Sequence, residues 1–449
     1  MKLARIIIAS SLVLLLAPAC NKDKDKEKAS VKYEGIVLNE IAAHEDSEDI
    51  ATWVELVNNS KETISLEGLS LFISDSNFKG QNICELSGSM APGERKVLST
   101  EDGGLRTGFA SNDKFTLVLG PAIDDPVDSF EHAADDPTLG YFASWQRIPD
   151  AIGEIRKLTY SSPGKENVIF DISKTRPTAI WTWGAHMSDL LYNDAKNLRE
   201  LKAKGYDHIL LNFAAFGSVP YRKQARQLIP LCEEIGLTVH VWIQCFYNGG
   251  WESPIDDEKK AYKEDVYERI RNECRDYIEN WGVKGVHLDY IRFGGTAQKH
   301  NYGEVNSVAA VNRCCREIRE ITDSYDEGLI TSAAMMPETN GALNYGQAGY
   351  LMSQYIHILM PMIYRYGSYN FSDETFQDRS DYFANQASMG GKGGVSWSGI
   401  QTYNANNSGM TAEELRRDIE LMAATKAEGL VLFRYQLGTF PDINDLYKR

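Results

Sequence analysis

From residue 178 to the C-terminus, short apolar runs alternate with segments whose apolar residues recur at helical spacing. Eight runs predict strands at 179–183, 208–213, 238–243, 285–288, 329–335, 356–363, 394–397 and 430–433. Segments 189–203, 223–235, 263–281 and 412–427 carry the helical spacing, and Gly282 follows one of them as a helix stop. Alternating strand–helix units build a parallel sheet, and eight of them in about 270 residues fit one closed (β/α)8 barrel. The other reading, an open doubly wound sheet, lacks the glycine-rich phosphate loop expected after its first strand. Residues 33–167 have a different rhythm. Short apolar or alternating runs at 36–41, 53–58, 69–73, 96–99 and 115–119 are separated by turn-prone groups such as Asn58-Asn59-Ser60, which predicts an all-β sandwich. Residues 168–177 then form a linker between two domains.

The N-terminus adds an address. Lys2 and Arg5 precede a nearly unbroken apolar run, 6–16, which is the pattern of a secretory signal and too short to span a membrane. It ends Leu16-Ala17-Pro18-Ala19-Cys20, which resembles the bacterial lipobox. That resemblance implies cleavage before Cys20, lipidation of its thiol and a membrane partner reached through the lipid anchor. Residues 21–32, rich in lysine and acid, read as a flexible tether. Acid soon after the cysteine resembles the surface-export signal of Bacteroidetes lipoproteins and implies the outer face of the outer membrane.

Charge narrows the partners. Removal of residues 1–19 leaves 45 basic against 63 acidic residues, a formal charge of −18. Nucleic acid is excluded as the main partner, because phosphate binding needs a basic surface. A neutral or cationic substrate is easier to accept. The six remaining cysteines, Cys84, Cys232, Cys245, Cys274, Cys314 and Cys315, have no metal-type spacing and read as small buried residues.

Chemistry is expected at the C-terminal ends of barrel strands. Asp289 directly follows the fourth strand, and Glu338 lies after the fifth. One carboxylic acid protonating the leaving oxygen and a second carboxylate attacking or activating water is the requirement of glycosidic cleavage. Aromatic residues assigned to the same rim are Trp183, Phe216, Tyr247, Trp251, Tyr290, Tyr364, Tyr366 and Trp397, and sugar faces stack on such rings. Asn212, Gln244, Arg292 and Arg434 would hold hydroxyls. Asp289 is expected as nucleophile or base, with Arg292 lowering its pKa, and Glu338 as acid/base, with Glu304 as a substitute. His287 reads as a hydrogen-bonded interior histidine, and Trp181 and Trp242 as packing aromatics. No cofactor or metal is required.

Two resemblances extend this reading. Val37-Leu38-Asn39-Glu40-Ile41, Trp53-Val54-Glu55-Leu56-Val57-Asn58, Leu66-Glu67-Gly68-Leu69, Ser144-Trp145-Gln146-Arg147 and Ser162-Pro163-Gly164-Lys165-Glu166-Asn167 resemble the lamin-tail domain, which implies an immunoglobulin-like sandwich without catalysis. Gly285-Val286-His287-Leu288-Asp289-Tyr290-Ile291-Arg292 and Met360-Pro361-Met362-Ile363-Tyr364 resemble the glycosyl hydrolase-like barrels of bacterial lipoproteins. That implies hydrolysis of a polysaccharide or oligosaccharide with Asp289 as a catalytic carboxylate. The chitinase motif Asp-x-Asp-x-Glu is not met, since His287, Asp289 and Ile291 occupy its places. The rival readings are a non-catalytic glycan-binding barrel and an adhesion or cell-envelope protein whose sandwich carries the function.

Overall fold

A computed structural model describes residues 32–44, 51–77, 79–133, 139–169 and 176–447. The signal, Cys20, most of the tether and most of the linker lie outside them. The N-terminal part is a sandwich of two antiparallel sheets. One sheet runs in the order Glu154–Leu158, Ser144–Ile148, Ile36–Ala42, Trp53–Asn58, Arg95–Ser99, and the other Gln81–Glu85, Ser70–Ser74, Phe115–Gly120, Asp128–His132. Ile36, Leu38, Val54 and Leu56 of the first face Leu71, Ile73, Leu117 and Leu119 of the second in one core. Each apolar run read from the sequence falls on one of these strands. Four further strands (Gln81–Glu85, Asp128–His132, Ser144–Ile148, Glu154–Leu158) were hidden by their polar content.

The conspicuous polar residues of this domain pin its chain end to the sheet. Glu40 accepts from Ser144 Oγ at 2.6 Å and Ser162 N at 2.8 Å, and Glu55 from Asn39 Nδ2 at 2.8 Å and Gly164 N at 2.6 Å. Asn167 Nδ2 returns to Asn39 O at 3.0 Å. Burial pushes the Glu40 carboxyl up to about 7. These are satisfied structural groups, and satisfaction is what permits their burial.

The second part is a closed parallel barrel of eight strands: β1 Thr178–Thr182, β2 His208–Asn212, β3 Thr238–Gln244, β4 Gly285–Asp289, β5 Ile330–Met335, β6 Ile358–Pro361, β7 Val395–Gln401 and β8 Gly429–Phe433. All eight overlap the runs read from the sequence, and β7 continues past its run to Gln401. Helices such as Val219–Ile235, Glu264–Trp281, Ser307–Asp323 and Ala412–Ala423 cover its outside. Gly282 caps Glu264–Trp281 in the left-handed conformation (φ 62°).

Large rings fill the barrel interior, and glycines on other strands make room for them. A Cβ on Gly429 would sit 2.3 Å from Trp397, on Gly285 2.1 Å from His240, and on Gly399 2.9 Å from Trp181. His287 Nε2 accepts from Trp181 Nε1 at 3.1 Å, so its proton is on Nδ1 and is given to Ser332 Oγ at 2.9 Å. An indole N–H can only donate, which fixes this tautomer. Burial holds His287 and His240 well below the ordinary histidine range, so both are neutral.

The sandwich docks on the N-terminal face of the barrel, where β3, β4 and β5 begin. Glu327, just before β5, accepts from Thr159 N at 2.9 Å and from Thr159 Oγ1. Lys284, just before β4, pairs with Glu233 and lies 4.4 Å over the Tyr160 ring. Arg226 lies 3.6 Å over Tyr141, Arg156 pairs with Asp326, and Gly282 leaves no room for a Cβ beside Phe142. More contacts cross between the two parts than the composition change at residues 168–177 led us to expect.

Candidate active site

At the other face, β4 ends in Asp289, and Tyr290 turns the chain at once through a left-handed φ of 50°. Tyr290 N donates back to Asp289 Oδ1 at 2.7 Å, and Trp242 Nε1, from inside β3, donates to Oδ2 at 2.7 Å. Only 8 % of Asp289 is exposed. Burial pushes its carboxyl up to about 6, against the two hydrogen bonds and the Arg292 charge, which lower it. This corrects the expectation that Arg292 sets the direction. Desolvation is the largest influence on this carboxyl and the Arg292 charge the smallest.

Asp289 opens into a cavity of about 490 Å³. Trp183, Asn212, Gln244, Tyr290, Arg292 and Tyr364 line it, as the sequence led us to expect. Asn212 Oδ1 accepts from Ala214 N at 2.9 Å, capping the turn Phe213–Phe216 and leaving its amide N–H groups for a ligand. Tyr364 stacks on Phe433 at 5.5 Å. Tyr247 stands outside the lining but packs on Tyr290 at 4.8 Å, and Trp251, half exposed, meets both. Arg292 lies 4.7 Å over Trp251. Arg434 lies 3.6 Å over Trp183 and donates to His186 Nε2 at 3.3 Å.

Four expectations about the rim are corrected. Trp397 does not reach the mouth: β7 runs on to Gln401, and Trp397 is fully buried near its start, 4.9 Å from His208. Phe216 is buried against Tyr277 and Trp281 in the outer layer. Tyr366 turns outward to Asp418, to which its hydroxyl donates at 3.2 Å. Glu304 is exposed on the Asn301–Tyr302/Val305–Asn306 hairpin and does not line the cavity. Glu338 does follow β5, yet it too stands outside the cavity lining. Its Oε1 accepts from Tyr345 and Tyr369 hydroxyls, both at 3.0 Å, while its buried Oε2 makes no hydrogen bond among the described residues.

Trp242 is the residue the sequence reading passed over. It was taken for packing, yet it both lines the cavity and holds Asp289. Strand parity contained the signal, since residue 242 shares a face with Gln244, already assigned to the site. Tyr221, Met362 and Phe433 also line the cavity without having been named.

No protein-family model and no curated protein matches this chain. Solved structures similar to it include glycoside hydrolases. The glycoside hydrolase domain of PgaB (BpsB) from Bordetella bronchiseptica aligns at 10 % identity and TM-score 0.42, covering 57 % of this chain and 93 % of that one. Catalytic domain 2 of the Group II chitinase from Ostrinia furnacalis aligns at 12 % and 0.41, covering 61 % and 95 %. The β-glucuronidase from Bacteroides uniformis aligns at 12 % and 0.38, covering 89 % of this chain and 47 % of that one.

Proposed function

We propose that this chain is a glycoside hydrolase in which Asp289 is the proton donor. The observation that carries this reading is the buried Asp289 on the floor of a cavity walled by aromatic rings and amides. A carboxyl raised to about 6 keeps its proton in mildly acidic solution, where an ordinary aspartate has lost it, and can give it to a leaving glycosidic oxygen. This assigns Asp289 the acid's role instead of the nucleophile's. Glu338, fixed by two tyrosine hydroxyls, is the second carboxylate of the proposal, approached along Arg292 and Tyr345. Trp183, Asn212, Gln244, Tyr247, Tyr290, Arg292, Tyr364 and Arg434 hold the sugars.

The test is release of reducing ends by the full chain from a panel of polysaccharides, with Asp289→Asn and Glu338→Gln in parallel. Hydrolysis that collapses in both variants is expected; hydrolysis untouched by Asp289→Asn overturns the mechanism. The position of Glu338 outside the cavity lining favours a second reading, a glycan-binding barrel without catalysis. Binding without release of ends, unchanged in Glu338→Gln, would establish that one.

The lipobox-like Leu16–Cys20 segment supports attachment to the outer membrane, facing the cell surface. Cys20→Ser is expected to release the protein from membranes, since stable attachment depends on acyl chains; unchanged fractionation overturns it. The lamin-tail-like sandwich, 33–167, is the non-catalytic spacer in this scheme.

A further inference from the structure

Among partly buried arginines, Arg176 and Arg222 donate to backbone carbonyls and Arg226 and Arg379 lie over rings, while Arg95, Arg147, Arg269, Arg271, Arg313 and Arg365 each pair with a carboxylate. The two arginines at the mouth do not, among the described residues. Arg434 spends one Nη1 proton on His186 Nε2 and offers a longer contact, 3.5 Å, to Tyr435 O. Its Nε and Nη2 have no partner among the described residues. Burial holds His186 below the ordinary histidine range, so the ring is a neutral acceptor and supplies no counter-charge. Among the described residues Arg292 makes no side-chain hydrogen bond, and its Nε is buried. Holding a partly desolvated cation without a counter-ion is unfavourable, and a bound anion relieves it. The Nε–Nη2 edge of a guanidinium is the fork that takes a carboxylate through two parallel hydrogen bonds, and stacking on Trp183 fixes the orientation of that fork. Neutral hydroxyls could occupy the same edge but would leave the charge uncompensated.

We infer that the glycan is acidic, and that Arg434, oriented by Trp183 and His186, receives a carboxylate of the sugar bound at the mouth, with Arg292 adding a second positive charge. This rests on the glycoside hydrolase reading. It also reverses, for the mouth, the preference for neutral or cationic substrates drawn from net charge.

The experiment uses the full chain with polygalacturonate, alginate and hyaluronan oligosaccharides, each beside its carboxyl-reduced neutral counterpart. Affinity is read by calorimetry and cleavage by released reducing ends, for the parent, Arg434→Gln and Arg434→Lys. At least one acidic oligosaccharide is expected to bind tenfold or more tightly than its reduced form. Arg434→Gln should erase that difference, and Arg434→Lys, which keeps the charge and the stem but not the fork, should fall between. Equal binding of acidic and reduced forms, or a preference that survives Arg434→Gln, overturns the inference, and so does failure to bind any acidic oligosaccharide. Cleavage of neutral glycans with no carboxylate preference sinks this inference and leaves the hydrolase reading standing. Arg434-dependent binding of an acidic oligosaccharide without cleavage does the reverse.

Discussion

The two ends of the barrel are built from the same strands but treat most of their charge differently, Arg226 over Tyr141 being the exception at the sandwich face. At the N-terminal end, against the sandwich, Lys284 meets Glu233, Arg156 meets Asp326, and Glu327 takes both donors of Thr159. At the C-terminal end burial raises a carboxyl to about 6, and Arg292 and Arg434 stand without counter-ions among the described residues. A charge closed off by its own fold stabilises a contact and does little else. A charge left incomplete is costly to hold and is therefore a mark of a site. The comparison places the proposed chemistry on the face away from the sandwich, so the sandwich does not complete the site.

Loss of Asp289 should break the contrast most sharply. Asp289→Asn is expected to cut kcat/KM by about 10²–10⁴-fold, the usual worth of a general acid, with an unchanged melting curve. In the parent, kcat/KM should fall as pH rises through about 6, because the donor is then ionised. A pH profile flat from 5 to 8 would remove Asp289 from that role. Next comes Trp397→Ala, which should cost about 3–5 kcal/mol of stability, the range for emptying a large buried site, while leaving sugar binding by the folded fraction intact. If affinity falls with no loss of stability, Trp397 belongs to the mouth after all.

The sandwich face can be tested through Glu327, whose carboxyl burial pushes up to about 7. The folded form then binds its proton more tightly than the unfolded chain does. Stability from this group is therefore fully present below the ordinary value of 4.5 and is lost as pH rises to about 7. Glu327→Gln should flatten that part of the stability–pH curve, measured by denaturant titration; an unaltered slope would place the titration elsewhere. The smallest effect is at Trp242. Trp242→Phe removes a bond that favours ionised Asp289, so the alkaline limb should move to higher pH, by about 0.7 of a unit for a bond worth about 1 kcal/mol. A shift to lower pH would show that water entering the gap matters more than the lost donor.

The architecture was legible because hydrophobic runs and helical spacing record which faces are buried, and all eight barrel strands carried that record. The misplacements have local causes. β7 reads Val-Ser-Trp-Ser-Gly-Ile-Gln, and its small polar residues obscured the strand after Trp397, moving an interior ring to an imagined rim. At Asp289 the position was legible and the electrostatics were not: Arg292, three residues on, is visible in the sequence, whereas the burial that outweighs it is a property of the closed barrel. Glu338 lay after the expected strand, but the path of the following loop sets the carboxylate against Tyr345 and Tyr369. The docking of the sandwich had no sequence signal, because its contacts join residues far apart in the chain.

The rings that fill the barrel and the glycines beside them have an evolutionary consequence. Trp397 with Gly429 and His240 with Gly285 each occupy one volume between two neighbouring strands. Neither member of a pair can change without penalty while the other stays, so their substitution effects are expected to be strongly non-additive. Among diverged copies of this barrel, each pair should be inherited together: a small residue replacing the ring should open the glycine position to alanine or serine, and the two columns should covary although they lie 30 or more residues apart.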